Sequence, residues 1–223
     1  MIARAVVLAV LGLLLVAAAA SAQSADRSHL EVMGGVRWIG PIDFGAVAAS
    51  EVTIAGGTRA LFNSDTTLDA SAGGTLGIGV QLSRRLRAEA AVAVNPTHLR
   101  TRISADVEGV KDVTVDAPVT QFLVEGGLVA QASQRRVAGG LPFVTAGLGY
   151  LRQLNDGRTL VETGRSYYVG GGLYYVRASN RPRRVKATGL RADLRAQILR
   201  GGVAPDSTSH VAAAFTAVVF ARF

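Results

Sequence analysis

The chain has 223 residues, 24 Lys+Arg against 16 Asp+Glu, a formal charge of +8 and no cysteine. Disulfide and thiolate chemistry are therefore excluded. The basicity is almost all arginine, since Lys111 and Lys186 are the only lysines, and no nucleic-acid-binding motif accompanies it.

Met1–Arg4 is a short basic start, Ala5–Ala20 is apolar, and Ala20-Ser21-Ala22 is an A-x-A cleavage site. This is the pattern of a secretory signal peptide over residues 1–22. The apolar run is short for a membrane span of about 20 residues. The remainder, Gln23–Phe223, is expected to form one domain. The mean hydropathy of the whole chain is positive, yet this remainder holds no long continuous apolar run. Such an exported chain hides its apolar surface in a soluble core or turns it to lipid as a closed barrel.

Period-2 alternation dominates, and it predicts eight strands. They lie near 28–39, 67–82, 86–95, 119–131, 141–153, 166–177, 189–199 and 210–223. The first sets Leu30, Val32, Val36 and Trp38 against Glu31, Met33 and Arg37. The second sets Leu68, Leu76, Ile78 and Val80 against Asp69, Ser71 and Thr75. The seventh is the cleanest: Leu190, Ala192, Leu194, Ala196 and Ile198 oppose Arg191, Asp193, Arg195 and Gln197. The last, HVAAAFTAVVFARF, ends on an aromatic residue at the chain terminus. The connections alternate between longer ones (41–66, 97–118, 154–165, 201–209) and short turns. Glu51–Ala55 and Thr58–Phe62, flanking Gly56-Gly57, predict a hairpin in the first long connection. The second reads as a strand pair extended beyond the membrane. All six prolines are placed at strand ends or in connections, as the missing N–H requires.

These features predict an all-β fold: an eight-stranded antiparallel up-and-down transmembrane barrel. Trp38, Phe122, Phe143, Tyr150, Tyr167 and Tyr175 fall near strand ends and are read as aromatic girdles. The short connections carry arginines without acids, Arg84, Arg85, Arg135, Arg136 and Arg177 among them. Either an anionic lipid surface or plain solvation accounts for this. A barrel this small is filled by side chains, and inward charges must pair. Glu31, Arg37, Asp69, Arg87, Glu89, Glu125, Arg191, Asp193 and Arg195 are expected to form an interior charge network.

No catalytic, cofactor-binding or metal-binding residues are assigned. His29, His98 and His210 lack metal-ligand spacing. Gly170–Gly172 lacks the helix and the Lys-Ser/Thr pair of a phosphate loop. Ser209-His210 near Asp206 and Ser207 has the residue types of a nucleophilic hydrolase without its signature.

The segment LPFVTAGLGYLRQLNDGRTLVETGRSYYVGGGLYYVR (141–177) resembles the paired central strands of small bacterial outer-membrane barrels of the OmpA/OmpX/OmpW type. Gly189–Arg200, a loop and a terminal strand are similar to the end of that family. The C-terminal assembly signal of such proteins is matched at Thr216 and Phe223; Val218 stands where glycine is usual and Ala221 where an aromatic is common. The resemblance implies a Gram-negative outer membrane, contact with lipid and lipopolysaccharide, and delivery by the barrel-assembly machinery. A monomer is expected. The function expected is structural or surface interaction through the outer loops, not catalysis. The alternatives are an OmpW-like conduit for small hydrophobic molecules, a rim lipid hydrolase, or a soluble lipocalin-like binder with its apolar faces inward. Alternation alone does not say which face is inside.

Overall fold

The computed structural model describes residues 30–52, 57–104, 111–155, 160–178, 185–203 and 208–223. The signal-peptide reading, His29, Asp206 and Ser207 lie outside them. The described chain is built from antiparallel strands: β1 (Leu30–Ile39), β2 (Ile42–Val52), β3 (Thr58–Leu68), β4 (Ser71–Gln81), β5 (Leu86–Ser104), β6 (Val113–Gln131), β7 (Leu141–Asn155), β8 (Leu160–Ala178), β9 (Ala187–Gly201) and β10 (Ser209–Arg222).

Eight of these close a ring, in the order β1, β4, β5, β6, β7, β8, β9, β10. Closure is made by β10 against β1, from Glu31↔Arg222 to Ile39↔Ala214. Two hydrogen bonds bracket that seam. Phe223 N donates to Leu30 O at 2.8 Å, and Gly40 N donates to Ala213 O at 2.8 Å. The ring leaves no free edge along this length, which answers the hazard of unpaired strand groups.

Two strands stand outside the ring. β2 continues β1 past Gly40-Pro41, and β3 leads into β4. They pair with each other, and β3 also pairs with the far half of β5, from Asn63↔Ser104 to Leu68↔Leu99. That half of β5 pairs with Val113–Val119 of β6. A four-stranded extension, β2-β3-β5-β6, thus projects from the end of the barrel that carries the longer connections. We call this the loop end, and the end with both termini the turn end. The hairpin expected in the first long connection is present, and it is longer than its sequence signal because β2 and β3 begin directly where β1 stops and end where β4 starts.

The prolines follow the rule on a finer scale than expected. Pro96 and Pro118 lie within β5 and β6, paired near Thr120 and with His98. Pro96 falls where β5 exchanges β4 for β3, between Val94 and Leu99. Pro118 falls before β6 begins to pair with β7 at Thr120. Each occupies a stretch with one unpaired side, where the missing N–H breaks no second ladder.

The two faces are now assigned. Val32, Val36, Leu76, Val92, Leu128, Leu148, Val169, Leu194 and Val219 point outward and are exposed, while Glu31, Arg37, Glu125, Arg191 and Asp193 are buried inside. This overturns the lipocalin-like alternative, in which the apolar faces enclose the lumen. Leu68, expected outward, is 1% exposed and faces inward. The phase slips between β3 and β4 at Asp69-Ala70, where regular pairing is interrupted, and a one-residue slip moves every side chain to the other face.

Candidate functional site: the ion-paired lumen and its two ends

The middle of the lumen holds a continuous chain of alternating charges. From the loop side, Arg37 donates to Glu125 at 2.6 Å; Arg195 lies 3.3 Å from Glu125 and 2.9 Å from Asp193. Arg191 lies 3.5 Å from Asp193 and 2.5 Å from Glu89. Arg87 lies 3.7 Å from Glu89 and 2.9 Å from Glu31, and Arg222 closes the sequence at 2.8 Å from Glu31. The residues come from β1, β5, β6, β9 and β10, so the chain crosses the lumen and ties non-adjacent walls together.

Neutral polar groups take up the remaining capacity. Gln197 Oε1 accepts from Arg37 at 2.5 Å while its Nε2 donates to Glu125 at 3.0 Å and to Ser166. The Tyr174 hydroxyl accepts from Arg87 at 2.6 Å and from Arg191 at 3.1 Å, and donates to Glu89 at 3.0 Å. The guanidinium of Arg191 stacks over Phe143 at 4.6 Å, and that of Arg195 over Tyr168 at 4.5 Å. A planar, weakly hydrated cation suits both uses at once, which explains why the lumen's cations are arginines. A void of about 30 Å³ is lined by Arg37, Arg191 and Thr216. Arg37 Nε, Arg191 Nε and Thr216 Oγ1 have no protein partner, and a polar void of that size accommodates a water.

Of the nine residues expected in the interior network, eight are brought together. Asp69 is not among them. It lies at the phase slip, half-exposed, 3.2 Å from the exposed Arg100. Arg222, which sequence reasoning passed over, belongs to the network. Its signal was present: it continues the inward phase of Ala212, Ala214, Thr216, Val218 and Phe220. The balance therefore changes. Five arginines (Arg37, Arg87, Arg191, Arg195, Arg222) face four carboxylates (Glu31, Glu89, Glu125, Asp193), and the excess lies at the turn end. Tyr174, Ser166 and Tyr168 were also missed, although they share one face of β8.

Two apolar layers flank the charges. At the loop end, Ile39, Ile42, Leu68, Leu123, Leu151 and Leu199 form a buried cluster with Phe44 and Val203 against it. Gln153 Oε1 accepts from Val203 N at 2.8 Å, which draws the β9–β10 connection into the mouth. At the turn end, Met33, Val129, Phe143, Tyr174, Val218 and Phe220 pack together. Phe143 is therefore not a girdle residue. It is 3% exposed, because it occupies the inward phase of β7. Trp38, Phe122, Tyr150, Tyr167 and Tyr175 do point outward and are exposed.

Small residues make this packing possible. Gly127 and Gly147 sit under the Tyr168 hydroxyl; a Cβ at Gly127 would meet that oxygen and lie 2.6 Å from Ala146 O. On the extension, the charges pair in the open. Arg100 bonds Asp116 at 3.0 Å and Arg102 bonds Asp112 at 2.6 Å. The hydrogen bond from Arg100 to Asp116, and then the charge of Asp69, raise the Arg100 pKa above its ordinary value.

The Ser209-His210 pair does not form a nucleophile–base arrangement. His210 Nε2 is 3.1 Å from Thr208 Oγ1, and its ring stands edge-on to Phe44 at 4.9 Å. No group of three or more His, Cys, Asp or Glu among the described residues has the arrangement of a metal site. Of the C-terminal signal positions, Thr216 faces the lumen, Ala221 pairs with Val32, and Phe223 is exposed at the turn end.

No family model matches the chain, and no curated protein matches it. Among solved structures it is similar to the outer membrane protein OprG from Pseudomonas aeruginosa, at 11% identity over 88% of this chain and 96% of that one, with a TM-score of 0.48. It is also similar to the outer membrane protein AlkL in DMPC lipid bilayers, at 15% identity over 88% of this chain and 90% of that one, with a TM-score of 0.40.

Proposed function

We propose that the chain is an integral outer-membrane β-barrel with a filled lumen that acts through its loop end. The turn end faces the periplasm, and the β2-β3-β5-β6 extension stands outside the cell as the surface offered to partners. One observation carries this reading: a closed ring turns its large apolar side chains outward and its charges inward. Val36 is 59% exposed, Leu148 63% and Leu194 66%, whereas a soluble monomer rarely exposes contiguous apolar surface beyond a few hundred Å². Lipid and lipopolysaccharide are the partners that such a wall fits. The terminal strand, with Thr216, Ala221 and Phe223, is its address for the barrel-assembly machinery. The ring leaves no edge for a second copy along its closed length, which supports a monomer. The test is fractionation together with gel mobility. Recovery with outer membranes, and faster migration unheated than boiled, is the expected result; recovery in the detergent-free soluble fraction refutes it.

A second reading, a conduit for small hydrophobic molecules, is favoured by the loop-end apolar cluster and its position beside a seam. The bond from Gly40 N to Ala213 O lies at the loop-end limit of the β1–β10 pairing. Beyond it β2 pairs with β3 and β10 with β9, and the ring of Phe44 on His210 bridges the gap. Such a ring pair contributes about 0.5–1.5 kcal/mol. Phe44→Ala should therefore increase uptake of a hydrophobic fluorescent probe by intact cells, and unchanged uptake counts against the conduit.

A further inference from the structure

The turn end carries a feature that neither reading uses. A cavity of about 750 Å³ opens there between the β4–β5 turn, the start of β7 and the end of β8. That volume falls within the range of small-molecule sites, about 300–1,000 Å³. Its floor and wall are apolar: Val129, Leu141, Phe143 and Val176. Its charged lining is Arg84, Arg85, Arg87 and Arg222, and no carboxylate among the described residues lines it.

The four arginines are not equivalent. Arg87 is consumed: its three nitrogens serve Gln81, Glu31 and Tyr174. Arg222 spends Nε and one terminal nitrogen on Glu31, and its side chain is 21% exposed. Arg84 and Arg85 are exposed and pair with no carboxylate among the described residues. The ion chain of the lumen also ends here one positive charge in excess, at Arg222. Convergent cationic donors over an apolar floor match a ligand that is charged at one end and apolar at the other.

We propose that this cup binds a small anionic amphiphile, a single carboxylate or phosphate on an acyl chain, taken from the aqueous side of the turn end. The anion sits against Arg84, Arg85 and the free edge of the Arg222 guanidinium. The chain lies on Leu141, Val176 and Phe143. A bare anion leaves that apolar wall unused, and an uncharged alkyl chain leaves the guanidiniums unpaired.

The test uses the full-length protein in nanodiscs of phosphatidylcholine, titrated by calorimetry with dodecanoate, dodecanol and inorganic phosphate. Dodecanoate is expected to bind once per chain; dodecanol, which loses the charge-assisted contacts, and phosphate, which leaves the apolar wall uncovered, should each bind about tenfold or more weakly. The double variant Arg84→Gln/Arg85→Gln should weaken dodecanoate by about tenfold or more. Both residues lie in an exposed turn, and unchanged heat-dependent gel mobility verifies that the barrel is intact. Unchanged affinity in the double variant, or many dodecanoates per chain, overturns the site in favour of the lipid-facing wall. Phosphate binding as tightly as dodecanoate overturns the amphiphile. Displacement of dodecanoate by phosphatidylglycerol in the disc assigns the anion to a bilayer lipid and overturns the aqueous source. The titration is read on the purified barrel, so its failure leaves the outer-membrane reading intact, and failed fractionation leaves the cup intact.

Discussion

Glu125 is the carboxylate on which the loop side of the ion chain depends. It accepts from Arg37 at 2.6 and 3.2 Å, from Arg195 at 3.3 Å, from Gln197 at 3.0 Å and from Ser166 at 3.4 Å. Glu125→Ala removes one charge and strands two cations of unequal standing. Arg195 keeps Asp193. Arg37 is 2% exposed and keeps only Gln197 as a side-chain partner. Breaking a buried pair from one side costs about 3–5 kcal/mol, or roughly two to four powers of ten in the unfolding equilibrium at about 1.4 kcal/mol per decade. Arg37→Met/Glu125→Leu removes both charges and fills the space with apolar groups, so it should recover most of that loss. Urea unfolding in detergent micelles, followed by tryptophan fluorescence and by gel mobility, measures both. A single variant within about 1 kcal/mol of the parent, or a double variant no better than the single, refutes the claim that the interior is held by paired charge.

Other predictions separate the close contacts from the open ones. Gly127→Ala drives a methyl against Tyr168 and Ala146 O and should cost about 1–3 kcal/mol in the same unfolding assay. Gly74→Ala, where nothing lies within 4 Å, should be neutral or stabilise by about 0.4–1 kcal/mol. Arg100→Ala breaks only exposed pairs and should change stability by no more than about 1 kcal/mol, with any effect vanishing in high salt. Deleting Phe223 should reduce the amount of barrel in outer membranes more than it reduces refolding in detergent; equal membrane levels would remove the assembly role of the terminal residue.

The ring was legible because its signal is local. Alternation in β9, with Leu190, Leu194 and Ile198 against Arg191, Asp193 and Arg195, needs no knowledge of neighbours. The same alternation placed Glu31, Arg37, Arg87, Glu89 and Glu125 in one phase. What stayed hidden was whatever depends on a break in that phase or on another strand. Leu68 and Asp69 changed faces because regular pairing lapses at Asp69-Ala70. Phe143 near a strand end looked like an interface aromatic; its inward phase, and the Arg191 guanidinium 4.6 Å from its ring, make it part of the floor. Pro96 and Pro118 marked strand ends only if strands stop where the barrel does, and here they run on into the extension.

The terminal strand is where these two kinds of information meet. Its inward face, Ala212, Ala214, Thr216, Val218 and Phe220, offers one hydroxyl and no charge, against an interior full of ions. Register explains the mismatch. Thr216 lies beside Arg37 on one side and Asp193 on the other, and Val218 beside Arg191. Long side chains rise from both neighbouring strands, so the strand between them must be low. Ala214 is 0% exposed although its side chain is a single methyl, because that space is already occupied. A larger residue there would press on Ile39 of the apolar cluster on one side and on Arg195 on the other, and packed interiors resist such additions by about 1–3 kcal/mol. At its last inward position, where the lumen opens, the strand carries an arginine of its own. Arg222 joins Glu31 across the closing seam at 2.8 Å, so the residue that completes the ion chain also ties the last strand to the first.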